Sequence, residues 1–168
     1  QGRYDKQPEP ATTLLQNADL VFWLDVHGSD RVDALTDALD ASPAKKVMID
    51  HHLYPRMETV LTVSHPNMSS TSELVFRIIW QLGKFEEMSK ECAVNIYCGM
   101  MTDTGGFTYN STQPEIFFII SQLLTKGIDK DRIYRNVFNN FSQWAIRLRR
   151  YQMSQKLNVF SDLHASYF

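Results

Sequence analysis

Three short stretches place acids and imidazoles where runs of apolar residues stop. Asp50-His51-His52 follows Val47-Met48-Ile49, and Asp25 follows Leu20-Val21-Phe22-Trp23-Leu24. Asp103 lies in Met100-Met101-Thr102-Asp103-Thr104-Gly105-Gly106-Phe107. Carboxylate oxygen and imidazole nitrogen together suit divalent metals of intermediate hardness such as manganese, and nearby acids can hold a second ion. Each stretch alone also has a plainer reading. A histidine pair can be a polar strand end exposed in a loop, and Asp103 before two glycines can be a helix C-cap followed by a turn. Glycine at 105 and 106 permits unusual backbone angles and a close approach to a ligand.

The elements that must position these residues alternate along the chain. Residues 20–24, 47–49 and 60–64 read as buried strands, the first two ending at Asp25 and Asp50. Between them Val32, Leu35 and Leu39 recur at helical spacing, and the helix ends before Ser42-Pro43. Ser70 and Glu73 have the spacing of a capping box, opening a helix with Leu74, Ile78 and Leu82 on its apolar face and Gly83 as its stop. A further helix is expected over 87–101, another between Pro114 and Gly127, and two more from about Lys130 and Ser142. Trp144, Leu148 and Tyr151 recur at helical spacing and read as core. Residues 156–160 read as a strand, with 164–168 as its hairpin partner.

Apolar strands separated by helices predict an α/β fold, a three-layer Rossmann-like parallel sheet flanked by helices. Ligands of such sheets collect outside the carboxyl ends of the strands. Asp25 and Asp50-His51-His52 are therefore expected at the same edge.

Composition narrows the partners. The chain of 168 residues is 43% hydrophobic and 21% charged, ordinary for one globular domain. A net charge of −2 offers no electrostatic footprint for long duplex DNA or an anionic membrane, so any nucleic-acid substrate should be short. No apolar run reaches membrane-spanning length. The two cysteines, Cys92 and Cys98, fall on different sides of one helix, which fits reduced thiols and a cytoplasmic location. The chain opens Gln1-Gly2-Arg3 without an initiator methionine, so an upstream segment is expected.

Taken together and in order, Leu24-Asp25, Asp50-His51-His52 and Thr102-Asp103-Thr104-Gly105 resemble the second, third and fourth motifs of the DHH phosphoesterases, with Ser70-Thr71-Ser72-Glu73-Leu74 similar to the helix start between the last two. The family includes RecJ exonucleases, manganese-dependent pyrophosphatases, and small-oligonucleotide ribonucleases that also dephosphorylate 3'-phosphoadenosine 5'-phosphate. The resemblance implies a two-metal centre of Mn2+, with Mg2+ as the alternative. Asp25 would bridge the ions while His51 and Asp103 ligate the second. His52 would meet the substrate phosphate or leaving group, and Asp50 would orient a histidine from behind. Ser70, Gly105 and Gly106 join His52 as expected substrate contacts. Two ions roughly 3.5 to 4 Å apart would activate a water for in-line attack on phosphorus.

Thr104-Gly105-Gly106-Phe107 resembles the oligoribonuclease and nucleotide-phosphatase branch, implying short RNA or a bisphosphorylated nucleotide as substrate, with a homodimer allowed. The alternatives are a pyrophosphatase or exopolyphosphatase of the same family, and a non-catalytic nucleotide-binding or regulatory domain. The family's first motif, a histidine and two aspartates, has no counterpart before Asp25, and the C-terminal substrate-binding domain is not found. The expectation is therefore a partial DHH domain over 1–155 and a terminal strand or hairpin over 156–168. A chain so divided should bind metal weakly by itself. His27 and His65 read as loop histidines, and Arg147, Arg149 and Arg150 as a charged helix face.

Overall fold

The computed structural model describes residues 8–28, 31–32, 35–163 and 165–167. Leu20–Leu24 (β1), Lys45–Asp50 (β2) and Leu61–Ser64 (β3) form a parallel sheet in the order β1-β2-β3. Leu24 stands opposite Ile49, and Asp50 opposite Ser64, so the carboxyl ends of the strands finish along one edge.

Side chains alternate across the pleat, and each face of β2 has its own core. Met48 packs with Trp23 and Leu39 on one side, against partly buried Leu15 of α1 (Pro8–Gln16) and Leu35 before α2 (Thr36–Asp40). Val47 and Ile49 pack on the other side against Leu74, Val75 and Ile78 of α3 (Thr71–Gln81). Burial on both faces explains why β2 reads as one apolar run. The α/β layering expected from the sequence is therefore present. The regular part of α2 is shorter than the spacing of Val32, Leu35 and Leu39 suggested, yet all three side chains pack in that cluster. The N-terminal helix α1 was not anticipated, because Pro8 and Pro10 obscure its signal.

Ser70 is the N-cap of α3, its Oγ accepting from Glu73 N–H at 3.1 Å. At the other end Gly83 N–H donates to the Trp80 carbonyl and Lys84 N–H to that of Ile79. With Gly83 at φ 68°, this is a Schellman closure that a side chain at 83 would strain. Next comes α4 (Lys90–Asp103), capped by Ser89 and running two residues past the expected end, so that Asp103 closes it. Helix α4 lies close against α3 at Gly99, where an added Cβ would stand 2.9 Å from Ser72 Cβ and closer still to its Oγ. Helix α5 (Pro114–Thr125) covers this layer with buried Ile116, Ile119 and Leu123. Burial of side chains of that size stabilises by about 1.5–3 kcal/mol each.

Packing divides the chain into residues 1–128 and 129–168. The second unit holds α6 (Lys130–Phe138), α7 (Gln143–Tyr151), a π-helical turn Gln152–Lys156, and an antiparallel hairpin of β4 (Asn158–Phe160) with β5 (Ala165–Tyr167). The hairpin was expected; His164 and Phe168 lie outside the described residues. The expectation that Trp144, Leu148 and Tyr151 form core is corrected: they are 75%, 57% and 50% exposed. Helical spacing predicts a shared face but not what covers it. Here Arg147 lies over the Trp144 ring and Lys156 over that of Tyr151.

Candidate metal centre

Three chain segments converge at the carboxyl edge of the sheet. The first begins where β1 ends: Asp25 donates its N–H to the Ile49 carbonyl at 3.1 Å, continuing the ladder by one bond, and then turns sharply with φ 65°. A non-glycine residue in that region stores about 1–3 kcal/mol of strain and persists only where its surroundings impose it. The second segment continues β2, whose last residue Asp50 is fully buried while His51 and His52 emerge half-buried. The third is the end of α4. Thr104 follows it, fully buried, its Oγ1 donating to the Met100 carbonyl at 2.7 Å and accepting from Phe107 N–H at 3.0 Å.

His51 is the hub. Its Nε2 lies 3.5 Å from Asp25 Oδ1 and 3.6 Å from Asp103 Oδ2. Its Nδ1 lies 3.3 Å from the Met68 carbonyl. A carbonyl only accepts, so this contact puts a proton on Nδ1 and turns Nε2, the nitrogen left for a metal, toward both carboxylates. Asp25, His51 and His52 offer ligand atoms that all fall within 4.8 Å of one another, and Asp103 joins through His51. Two carboxylates and an imidazole anchored through its second nitrogen are a donor set that fits a divalent cation.

The electrostatics agree. The Asp103 carboxyl is raised above its ordinary value, first by burial and then by the neighbouring charge of Asp25, with His51 and His52 opposing. A cation between these carboxylates removes their mutual repulsion.

His52 is oriented from behind. Asp50 Oδ1 is 2.7 Å from His52 Nδ1 and also accepts the His52 backbone N–H at 3.1 Å. His27, a loop histidine by sequence, joins this group: its ring centroid is 5.6 Å from that of His52, and His27, Asp50 and His52 form a second set of donors within 4.8 Å. Only its position two residues after Asp25 pointed there. His65 is exposed in the loop after β3.

The expected substrate contacts are placed differently from one another. Gly105 and Gly106 follow Asp103 in a tight left-handed turn at φ 55° and 74°. A Cβ at Gly105 would run into the Tyr109 ring, so packing as well as the turn requires glycine there. The Ser70 side chain is fully buried and its hydroxyl caps α3. Arg147, Arg149 and Arg150 are on α7 in the second unit, exposed. Among the described residues no helix is long and apolar enough to cross a membrane.

Residues 3–100 match the DHH family, N-terminal domain, a segment holding Asp25, Asp50, His51 and His52 and ending just before Asp103. An exopolyphosphatase-related protein from Bacteroides fragilis has a crystal structure similar to this chain at TM-score 0.93 and 52% identity, over 97% of this chain and 48% of its own. An uncharacterized protein of Mycoplasma pneumoniae is 33% identical over 94 residues, 55% of this chain and 28% of the relative. The bifunctional oligoribonuclease and PAP phosphatase NrnA of Thermus thermophilus is 35% identical over 83 residues, 49% of this chain and 25% of the relative. The chain spans about a quarter of the length of these curated relatives and about half that of the solved one. With the family match covering more than half of its residues, the chain belongs to the DHH family.

Proposed function

We propose that the protein is a manganese-dependent phosphoesterase that hydrolyses short oligoribonucleotides and 3'-phosphoadenosine 5'-phosphate. The observation that carries this reading is that His51 Nε2 lies 3.5 Å from the Asp25 carboxylate and 3.6 Å from that of Asp103, with His52 held beside them by a buried carboxylate. In this reading Asp25 bridges two metal positions, and His51 and Asp103 serve the second. Bound there, divalent ions would supply Lewis acidity and a water of lowered pKa. His52, with Nδ1 turned to Asp50, presents Nε2 to the substrate phosphate or its leaving oxygen. Gly105 and Gly106 form the left-handed turn beside Asp103 and would meet the substrate through their backbone, whereas Ser70 acts within the fold as a cap. The similarity to NrnA supports the substrate class. So does the net charge of −2, which gives little counterion release along a long strand.

A second reading, hydrolysis of pyrophosphate or polyphosphate, is favoured by the likeness to the exopolyphosphatase-related protein. The test compares dinucleotide, long RNA, 3'-phosphoadenosine 5'-phosphate and pyrophosphate with the intact protein at one manganese concentration. The first reading expects turnover of the dinucleotide and the bisphosphorylated nucleotide well above the other two. Preferential pyrophosphate turnover would replace it with the second, and no turnover of any of the four would favour a nucleotide-binding module.

A further inference from the structure

We infer that Thr71 and Glu73 are positioning residues, and that the first turn of α3 is a bracket setting two of the proposed metal-binding side chains at once. This rests on the metal-centre reading above. Thr71 Oγ1 donates to Asp25 Oδ1 at 2.7 Å, and Thr71 is only 5% exposed. The hydroxyl fixes the carboxylate's rotation, occupying one lone pair of Oδ1 and leaving the others free. It also sustains the left-handed backbone of Asp25 by tying the side chain to another element. Just before the helix, the Met68 carbonyl holds His51 Nδ1. One turn of chain therefore meets Asp25 with a donor and His51 with an acceptor.

Glu73 holds that turn in place. In a capping box the glutamate reaches back to the N-cap N–H. Here it reaches one residue further. Its Oε2 accepts from Ser69 N–H at 2.9 Å and from Ser69 Oγ at 2.7 Å, next to the Met68 carbonyl that orients His51. Its Oε1 accepts from Arg77 Nε at 2.9 Å and from a terminal guanidinium nitrogen at 2.7 Å. Glu73 is fully buried, and a buried carboxylate is tolerated when paired and fully hydrogen-bonded, as this one is. Helix capping by itself needs only the Ser70 hydroxyl. A fully buried carboxylate, paired with half-buried Arg77 and locking the residue beside Met68, does what supporting partners of metal ligands do: it sets the direction of the ligand.

The test uses the intact protein with Mn2+ alone as the probe, followed by calorimetry, with thermal denaturation read alongside. Thr71→Val removes the hydroxyl at nearly constant shape and is expected to weaken manganese binding about 10–100-fold, with Thr71→Ser restoring it to within a few-fold. Thr71→Ala takes the place of Thr71→Val if the valine variant does not fold. Glu73→Gln keeps the shape but turns an NH2 group toward Ser69 or Arg77, and should likewise weaken manganese binding about 10-fold. A merely structural role would lower thermal stability in both variants and leave manganese affinity unchanged. Wild-type manganese affinity in the Thr71 variant or in Glu73→Gln would overturn the inference and leave the metal centre standing. No manganese binding by the wild type would overturn the metal-centre reading and this inference with it.

Discussion

His51 Nε2 stands 3.6 Å from Asp103 Oδ2, so the end of a central strand and the end of a helix deliver their side chains to one point. The helix end is electrostatically the less favourable place for an acid. The last turn of a helix carries partial negative charge, which disfavours a carboxylate there unless a cation compensates. Burial and the charge of Asp25 act in the same direction on Asp103. In the proposed metal centre this placement would serve ligation at a cost to the stability of the metal-free fold.

The first prediction follows from that conflict. Folding raises the Asp103 carboxyl above its ordinary value, so the folded state holds the proton more tightly than the unfolded chain does. The associated stability is fully present below the ordinary carboxylate pKa, about 3.9, and is lost as pH rises through the raised value. At pH 7 the ionised side chain therefore opposes folding. Asp103→Asn should melt higher than wild type in chelator at neutral pH, by on the order of a few degrees, with the gain shrinking as pH falls toward about 4. The same variant should gain no stability from manganese. A lower melting temperature in chelator at pH 7 would contradict this account.

Added metal gives the second prediction. Manganese at about a hundred times its Kd should stabilise the folded wild type by about 2.7 kcal/mol. The melting temperature should rise on the order of 5–10 °C, and a chelator should reverse the shift. His51→Ala removes the imidazole that links the two carboxylates and should lose most of it. An equal manganese-induced shift in wild type and His51→Ala would place the ion elsewhere.

The parallel sheet and the arrival of Asp25 and His51 at one edge were legible because apolar runs of strand length separated by helices pair in parallel and end in polar residues on the same side. Gly83 and Gly127 were legible as helix stops because both adopt the left-handed backbone that glycine tolerates. Other features depended on tertiary contacts that leave no periodic trace. The use of Glu73 on Ser69 instead of Ser70 is one, and the approach of His27 to His52 is another. The α7 stripe shows the converse failure, for Trp144 and Leu148 have core spacing without cover from the described residues.

The contact between α3 and α4 supplies the third prediction. Gly99 faces Ser72, and even if the serine hydroxyl rotates away, an added methyl would press on its Cβ. Gly99→Ala should therefore destabilise by about 1–3 kcal/mol despite alanine's better helix propensity. Because α3 carries Thr71 and α4 carries Asp103, the displacement should weaken manganese binding too. Gly99→Ala with Ser72→Ala should recover part of both losses, read by thermal denaturation and calorimetry. An alanine variant as stable as wild type would show that the two helices separate without strain.

The fourth prediction separates orientation from ligation. Asp50 is fully buried, and its Oδ1 holds both the ring and the backbone of His52, while Oδ2 has no hydrogen-bond partner among the described residues. Asp50→Asn keeps the shape but removes the charge and lets an NH2 group face the imidazole. That should release the ring from its single orientation and lower phosphoester turnover about 10–100-fold. Manganese affinity should stay within a few-fold, since Asp25, His51 and Asp103 are unchanged. If Asp50 acts through His52, the two substitutions must not add. His52→Ala alone and His52→Ala with Asp50→Asn should then have nearly the same turnover, which a double-mutant cycle measures directly. Additive losses would mean that Asp50 acts by another route, and the cluster of His27, Asp50 and His52 would be the place to look for it.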